Sequence, residues 1–137
     1  MLLSLSCCAV LVALAVPASA LMDVSSRPVI AQDLQLAAQY WGRAPCASVS
    51  VLVGPMQDAT GNDGVVIPAS ELAAETALES CTITLAPSTF RERHRRPRFT
   101  CDLIVHEWGH LLGLPDSSAA PMLNDDVTLD HNPACVR

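Results

Sequence analysis

Hydrophobic positions along the chain change their period several times, and each change marks an element. Over Pro28–Trp41 the residues Ile30, Leu34, Ala37, Ala38 and Trp41 recur at helical spacing. Pro28 suits a first turn and Gly42 the residue just past the end, so this segment predicts a helix, with Tyr40 and Trp41 as its core anchors. Residues 47–53 alternate, Val49, Val51 and Val53 against Ser48, Ser50 and Leu52, and predict a short strand stopped by Gly54-Pro55. Residues 58–68 hold Gly61-Asn62-Asp63-Gly64 and predict a loop. Residues 70–80, with Ser70 as a cap and Glu71 and Glu75 early, predict a short helix. Residues 81–85, with Ile83 and Leu85 in phase, predict a second strand closed by Pro87. Residues 90–99 carry five of the eight arginines and predict a solvated loop, with a substrate-facing rim for acidic peptides as the alternative. Thr100 then caps a helix over residues 101–112, with Asp102 in its first turn, Ile104, Trp108 and Leu111 on its core face, and Gly113 as left-handed terminator. No internal repeat interrupts the series.

The amino end departs from these patterns. Residues 2–16 are an apolar run, and Pro17-Ala18-Ser19-Ala20 follows as a small-residue site of the kind signal peptidases cut after. Residues 1–20 therefore read as a signal peptide and 21–137 as one domain, with export to the extracellular space. An uncleaved membrane anchor is the rival, since the run is nearly long enough to span; lipid attachment at Cys7 or Cys8 is another. Cys46, Cys81, Cys101 and Cys135 remain after such a cut. An even set in a small exported domain points to two disulfides, and of the three pairings Cys46–Cys81 with Cys101–Cys135 is favoured. A four-cysteine metal site is disfavoured by the lack of any C-x-x-C pair. The net charge of −6 argues against nucleic-acid partners. The absence of lysine, with arginine and alanine in its place, matches the codon bias of a GC-rich, bacterial genome.

The last predicted helix contains His106-Glu107-Trp108-Gly109-His110. Residues four apart share a helix face, so both imidazoles can reach one ion, while Glu107 points to the neighbouring side where a metal-bound water would sit. The string continues Leu111-Leu112-Gly113-Leu114-Pro115-Asp116. Ending the helix at Gly113 lets the chain turn and bring Asp116 back to the ion. His131 is the reserve ligand, with Asp125, Asp126 and Asp130 behind it; the same acidic cluster is a weak Ca²⁺ candidate without an EF-hand pattern. His94 reads as an ordinary solvated residue.

The whole string H-E-x-x-H-x-x-G-x-x-D resembles the metzincin zinc-peptidase signature, with Asp116 in place of the third histidine. Within that clan it looks most like the snapalysin-like small secreted bacterial peptidases, and it is similar to matrixins. The resemblance covers residues 101–122. It implies an α+β fold: a small zincin domain with a short twisted sheet, an active-site helix and a Met-turn at Met122. It further implies Zn²⁺ held by His106, His110 and Asp116, Glu107 as general base, and a protein or peptide as substrate. After signal cleavage a monomer without stable membrane association is expected. Asn124 stands where astacin-like enzymes carry a tyrosine, so no help from such a residue is expected. The alternative is a secreted binding domain that keeps zinc for stability without catalysis; a chance H-E-x-x-H in a disulfide-stapled structural protein is the third reading.

Overall fold

The computed structural model describes residues 21–60, 66–68, 70, 72–116 and 135–136. The fold is α+β. In chain order the elements are β1 (Met22–Asp23), α1 (Pro28–Trp41), β2 (Ser50–Val53), β3 (Ala59–Thr60), β4 (Val66–Ile67), β5 (Ala74–Ala77), β6 (Thr82–Leu85), α2 (Pro87–Glu92) and α3 (Pro97–Leu111). Four strands make one mixed sheet in the order β1-β2-β6-β5, and β3 pairs with β4 in a separate two-stranded ladder. β2 and β6 run parallel, with Val51 opposite Ile83 and Val53 opposite Leu85. β1 and β5 flank them antiparallel, Met22 opposite Val53 and Ala74 opposite Leu85.

Burial follows from these positions. β2 buries alternate residues, Val51 and Val53, as the period predicts. β6 lies between two strands and buries all four of its residues, Thr82 and Thr84 included. The face carrying Val51, Ile83 and Leu85 joins Ile30 and Ala37 of α1 and Ile104, Trp108 and Leu111 of α3 in one core. The two long helices pack on each other, and the indole N–H of Trp41 donates to the Val105 carbonyl at 2.8 Å. The indole of Trp108 likewise donates to the Arg43 carbonyl at 3.1 Å. The half-buried Trp41 and the buried Trp108 thus each satisfy their single polar atom.

Several expectations need correction. Tyr40 is no core anchor: it is 41% exposed and meets Trp41 edge-on from outside. The loop expected at residues 58–68 contains β3 and β4, with Ala59 opposite Ile67. The helix expected at 70–80 is instead strand β5, because Ala74–Ala77 can pair with the edge of β6 and that pairing outweighs a weak local preference. Pro87 does not merely close a strand; it opens α2, and Pro97 opens α3 three residues before the expected cap. Thr100 therefore lies inside the helix, fully buried, and Asp102 sits beyond the first turn, also fully buried. Of the arginine run, Arg93 and Arg96 stack over Phe90 and Phe99.

Two expectations hold in detail. Gly42 and Gly113 both adopt left-handed backbone, φ 65° and 82°. The disulfides are Cys46–Cys81 and Cys101–Cys135, with Cα–Cα separations of 6.5 and 5.7 Å. The second ties Cys135 to the second turn of α3. Among the described residues no helix is long and apolar enough to cross a membrane. The expected leader at 1–20, Met122, expected at a Met-turn, and His131, Asp125, Asp126 and Asp130 lie outside the described residues.

Candidate metal centre

Eleven of the fifteen residues of α3 are buried, so the helix is wrapped on nearly every side. Its last two turns present His106 and His110 on one face. Trp108, about 200° round the helix from His106, points the opposite way into the core. The two Nε2 atoms lie 2.9 Å apart, with the rings edge to face at 84°.

The end of the helix brings in the third group. The N–H of Gly113 bonds to the His110 carbonyl at 2.8 Å, and that of Leu114 returns to the Gly109 carbonyl at 3.1 Å. This left-handed closure reverses the chain within three residues and sets Asp116 against the imidazoles. Asp116 Oδ1 is 3.2 Å from His106 Nε2 and 3.1 Å from His110 Nε2. Sequence spacing alone expected these three residues to converge, and they do; together they form a group that could hold a metal ion.

The donor chemistry fits an ion. The Leu114 carbonyl lies 2.8 Å from His110 Nδ1 and can only accept, so that nitrogen carries the hydrogen. A neutral His110 then turns a bare lone pair at Nε2 toward the cluster, oriented by the backbone as outer-shell bonds orient metal-binding histidines. Asp116 Oδ1 is shielded from solvent and has no hydrogen-bond donor among the described residues. Its contacts with the rings count as ion pairs only when an imidazole is protonated. The His110 lone pair and the Asp116 carboxylate oxygen, 3.1 Å apart, repel unless a proton or a cation sits beside them. The separations of 2.9, 3.1 and 3.2 Å lie close to the edge of about 3.3 Å expected of a tetrahedron with metal–ligand bonds near 2.0 Å. The side chains of His106, His110 and Asp116 keep 11%, 21% and 28% of their surface exposed, so the cluster opens to solvent on one side.

Glu107 lies one residue round the helix and is buried. Burial pushes its carboxyl up to about 7; His110 opposes this, while the charges of Asp116 and Glu75 add to it. A divalent cation held by its neighbours would favour the carboxylate instead. Glu75, on β5, is a group whose charge bears on Glu107 and whose bearing sequence reasoning missed. Read as part of a helix it had no tie to Glu107; the structure sets it in β5, opposite Thr84 of β6.

Of the arginine run, Arg98 stands in the first turn of α3, at the end opposite the histidines. Arg98 precedes His106 by eight residues, about 12 Å along the axis, which exceeds a Debye length of about 8 Å at physiological salt. The chain matches no protein-family model, no curated protein and no solved structure.

Proposed function

We propose that the chain is a secreted zinc endopeptidase of the metzincin kind, with His106, His110 and Asp116 as ligands and Glu107 as general base. The observation that carries this reading is the convergence of two imidazoles and a carboxylate about 3 Å apart beside a buried glutamate. Zinc bound there would lower the pKa of a water and polarise a carbonyl. Glu107 accepts the proton of the attacking water at its carboxylate and passes it to the leaving amine nitrogen. His110 is held in the metal-binding tautomer by the Leu114 carbonyl. Asp116 adds a negative charge that a third imidazole would not, which tempers the Lewis acidity of the ion. The turn at Gly113 fixes where that carboxylate stands, and the packing of α3 against β5 and β6 holds the helix still.

Export is supported by the apolar leader pattern and by two disulfides in a small domain. The substrate class is protein or peptide, and the working species a monomer. Zinc analysis and a peptide-library digest, run in parallel on wild type, Glu107→Ala and Asp116→Ala, test the reading. Wild type and Glu107→Ala should each retain one zinc after dialysis against a mild chelator. Glu107→Ala should lose roughly 10²–10⁴-fold in turnover. Asp116→Ala should lose zinc and, with it, activity. Turnover by Glu107→Ala within a few-fold of wild type would overturn the mechanism. Zinc in wild type without cleavage of any peptide would favour the non-catalytic binding domain.

A further inference from the structure

Just before β5, the chain meets α2 and the first turn of α3 round a cavity of about 250 Å³. Ala73, Ser88, Thr89, Glu92, Arg96 and Phe99 are among the residues that line it. Backbone bonds fix these walls. The Ala73 carbonyl accepts the Thr89 hydroxyl at 3.1 Å and the Ala86 N–H at 2.9 Å, which ties the strand side to α2. The Glu92 carbonyl accepts the N–H groups of Arg95 and Arg96, both at 2.8 Å, which ties α2 to the start of α3. Thr89 is buried and Phe99 half-buried, whereas Glu92 and Arg96 are exposed. The cavity is thus a product of the fold, with its charged groups on the solvent side.

The Arg96 guanidinium lies over the Phe99 ring, 4.2 Å from its centroid. Stacking occupies the flat face of the group and leaves its N–H edge for an acceptor. Glu92 lines the same cavity but forms no ion pair with Arg96; among the described residues the ion pairs are those of Asp116 with the two histidines. One cavity therefore carries two opposite charges that do not neutralise each other by contact. A lone carboxylate here gains Arg96 but meets Glu92 as a like charge, and a lone ammonium has the reverse difficulty. A molecule that bears both groups on one carbon can turn each toward its opposite. The Thr89 hydroxyl, whose hydrogen goes to Ala73, can still accept from an ammonium. Size narrows the choice further. The volume lies below the roughly 300–1,000 Å³ of pockets that enclose drug-sized ligands, so the occupant is smaller than those.

We propose that this cavity binds a small zwitterion of the α-amino acid class, with its carboxylate on Arg96 and its ammonium on Glu92. The site is separate from the candidate metal centre: Phe99 precedes His106 by seven residues, about 10 Å along α3. Binding there requires neither the metal nor catalysis, so the proposal and the peptidase reading can fail independently.

Leucine is the probe. Isocaproate, which lacks its ammonium, and isoamylamine, which lacks its carboxylate, are the controls. Each is titrated into the full chain at neutral pH and followed by backbone amide NMR. Leucine should give saturable shifts at Ala73, Thr89 and Phe99 with a Kd on the order of 1 mM, as befits two exposed charged contacts. Each control should bind about tenfold more weakly or worse. Arg96→Gln and Glu92→Gln should each weaken leucine by a similar factor. Both side chains are exposed, so circular dichroism of either variant should match wild type. A lack of saturable shifts with leucine far above that concentration would overturn the proposal, as would shifts confined to other parts of the chain. Leucine binding that survives either substitution would also overturn it. Equal binding of isocaproate or isoamylamine would make the cavity a site for a simple anion or cation instead, and would overturn the zwitterion assignment.

Discussion

α1 and α3 are built alike and used differently. Each opens on a proline and closes at a left-handed glycine, and they are fourteen and fifteen residues long. α1 buries only Ile30, Asp33 and Ala37 and leaves its other faces open or half-open to solvent. α3 buries eleven residues, among them Asp102, His106 and Glu107. A helix with one apolar stripe needs only a core to lean on. One buried all round must account for each polar group inside it, and here two of those groups face the candidate metal centre. The difference is thus one of surroundings: α1 lies against α3, while α3 also meets both strands and a disulfide.

That contrast predicts the largest effect at Trp108. Trp108→Ala removes a buried ring and its bond to the Arg43 carbonyl. It should lower the unfolding free energy by about 3–5 kcal/mol, while Tyr40→Ala on the exposed side of α1 should cost less than about 0.5 kcal/mol. Denaturant melts of the two variants check this, and equal losses would break the comparison.

The next effect is a pH dependence of the metal-free protein. The folded-state pKa of Glu107 lies near 7, above its ordinary 4.5. The stability gained from its bound proton is therefore complete below the lower value and is lost as pH rises through the upper one. Without metal, unfolding free energy should fall by roughly 3 kcal/mol over this range relative to Glu107→Gln, in which the residue no longer titrates. Zinc at neutral pH should restore it. Parallel curves for the two metal-free proteins would refute the burial cost assigned to Glu107.

The smallest and most diagnostic effect sets the two glycines side by side. A Cβ at Gly42 or Gly113 meets nothing within 4 Å, so alanine at either costs backbone strain alone, about 1–2 kcal/mol. Both variants should melt alike. Only Gly113→Ala should also weaken zinc binding, because Leu114 and Asp116 hang from that turn. Chelator competition separates them.

Much of this was legible in the residues. Whereas the disulfide pairing is a preference among three that the structure decides, the bounds of α1, both glycine terminators and the central strands follow from spacing and punctuation. So does the meeting of His106, His110 and Asp116, because a helical repeat and one sharp turn are local geometry. What escaped was decided at a distance. Ala74–Ala77 has no strong preference of its own and becomes a strand because β6 offers an edge. Pro87 and Pro97 each end one element and begin another, and a proline alone does not say which. Glu75 acquires its relation to Glu107 only once that strand is in place.

The disulfides have a consequence for how the chain is made. Cys46 takes the next cysteine of the domain, Cys81, and Cys101 takes the next after that, Cys135. The loops they close are consecutive and share no residue. A chain entering an oxidising compartment amino end first can seal the first loop before Cys101 arrives. An oxidant that joins cysteines in order of appearance then produces the native pairing, and no reshuffling is required. The second loop holds His106, His110 and Asp116, so the candidate centre belongs to the part of the domain that such an oxidant would staple last.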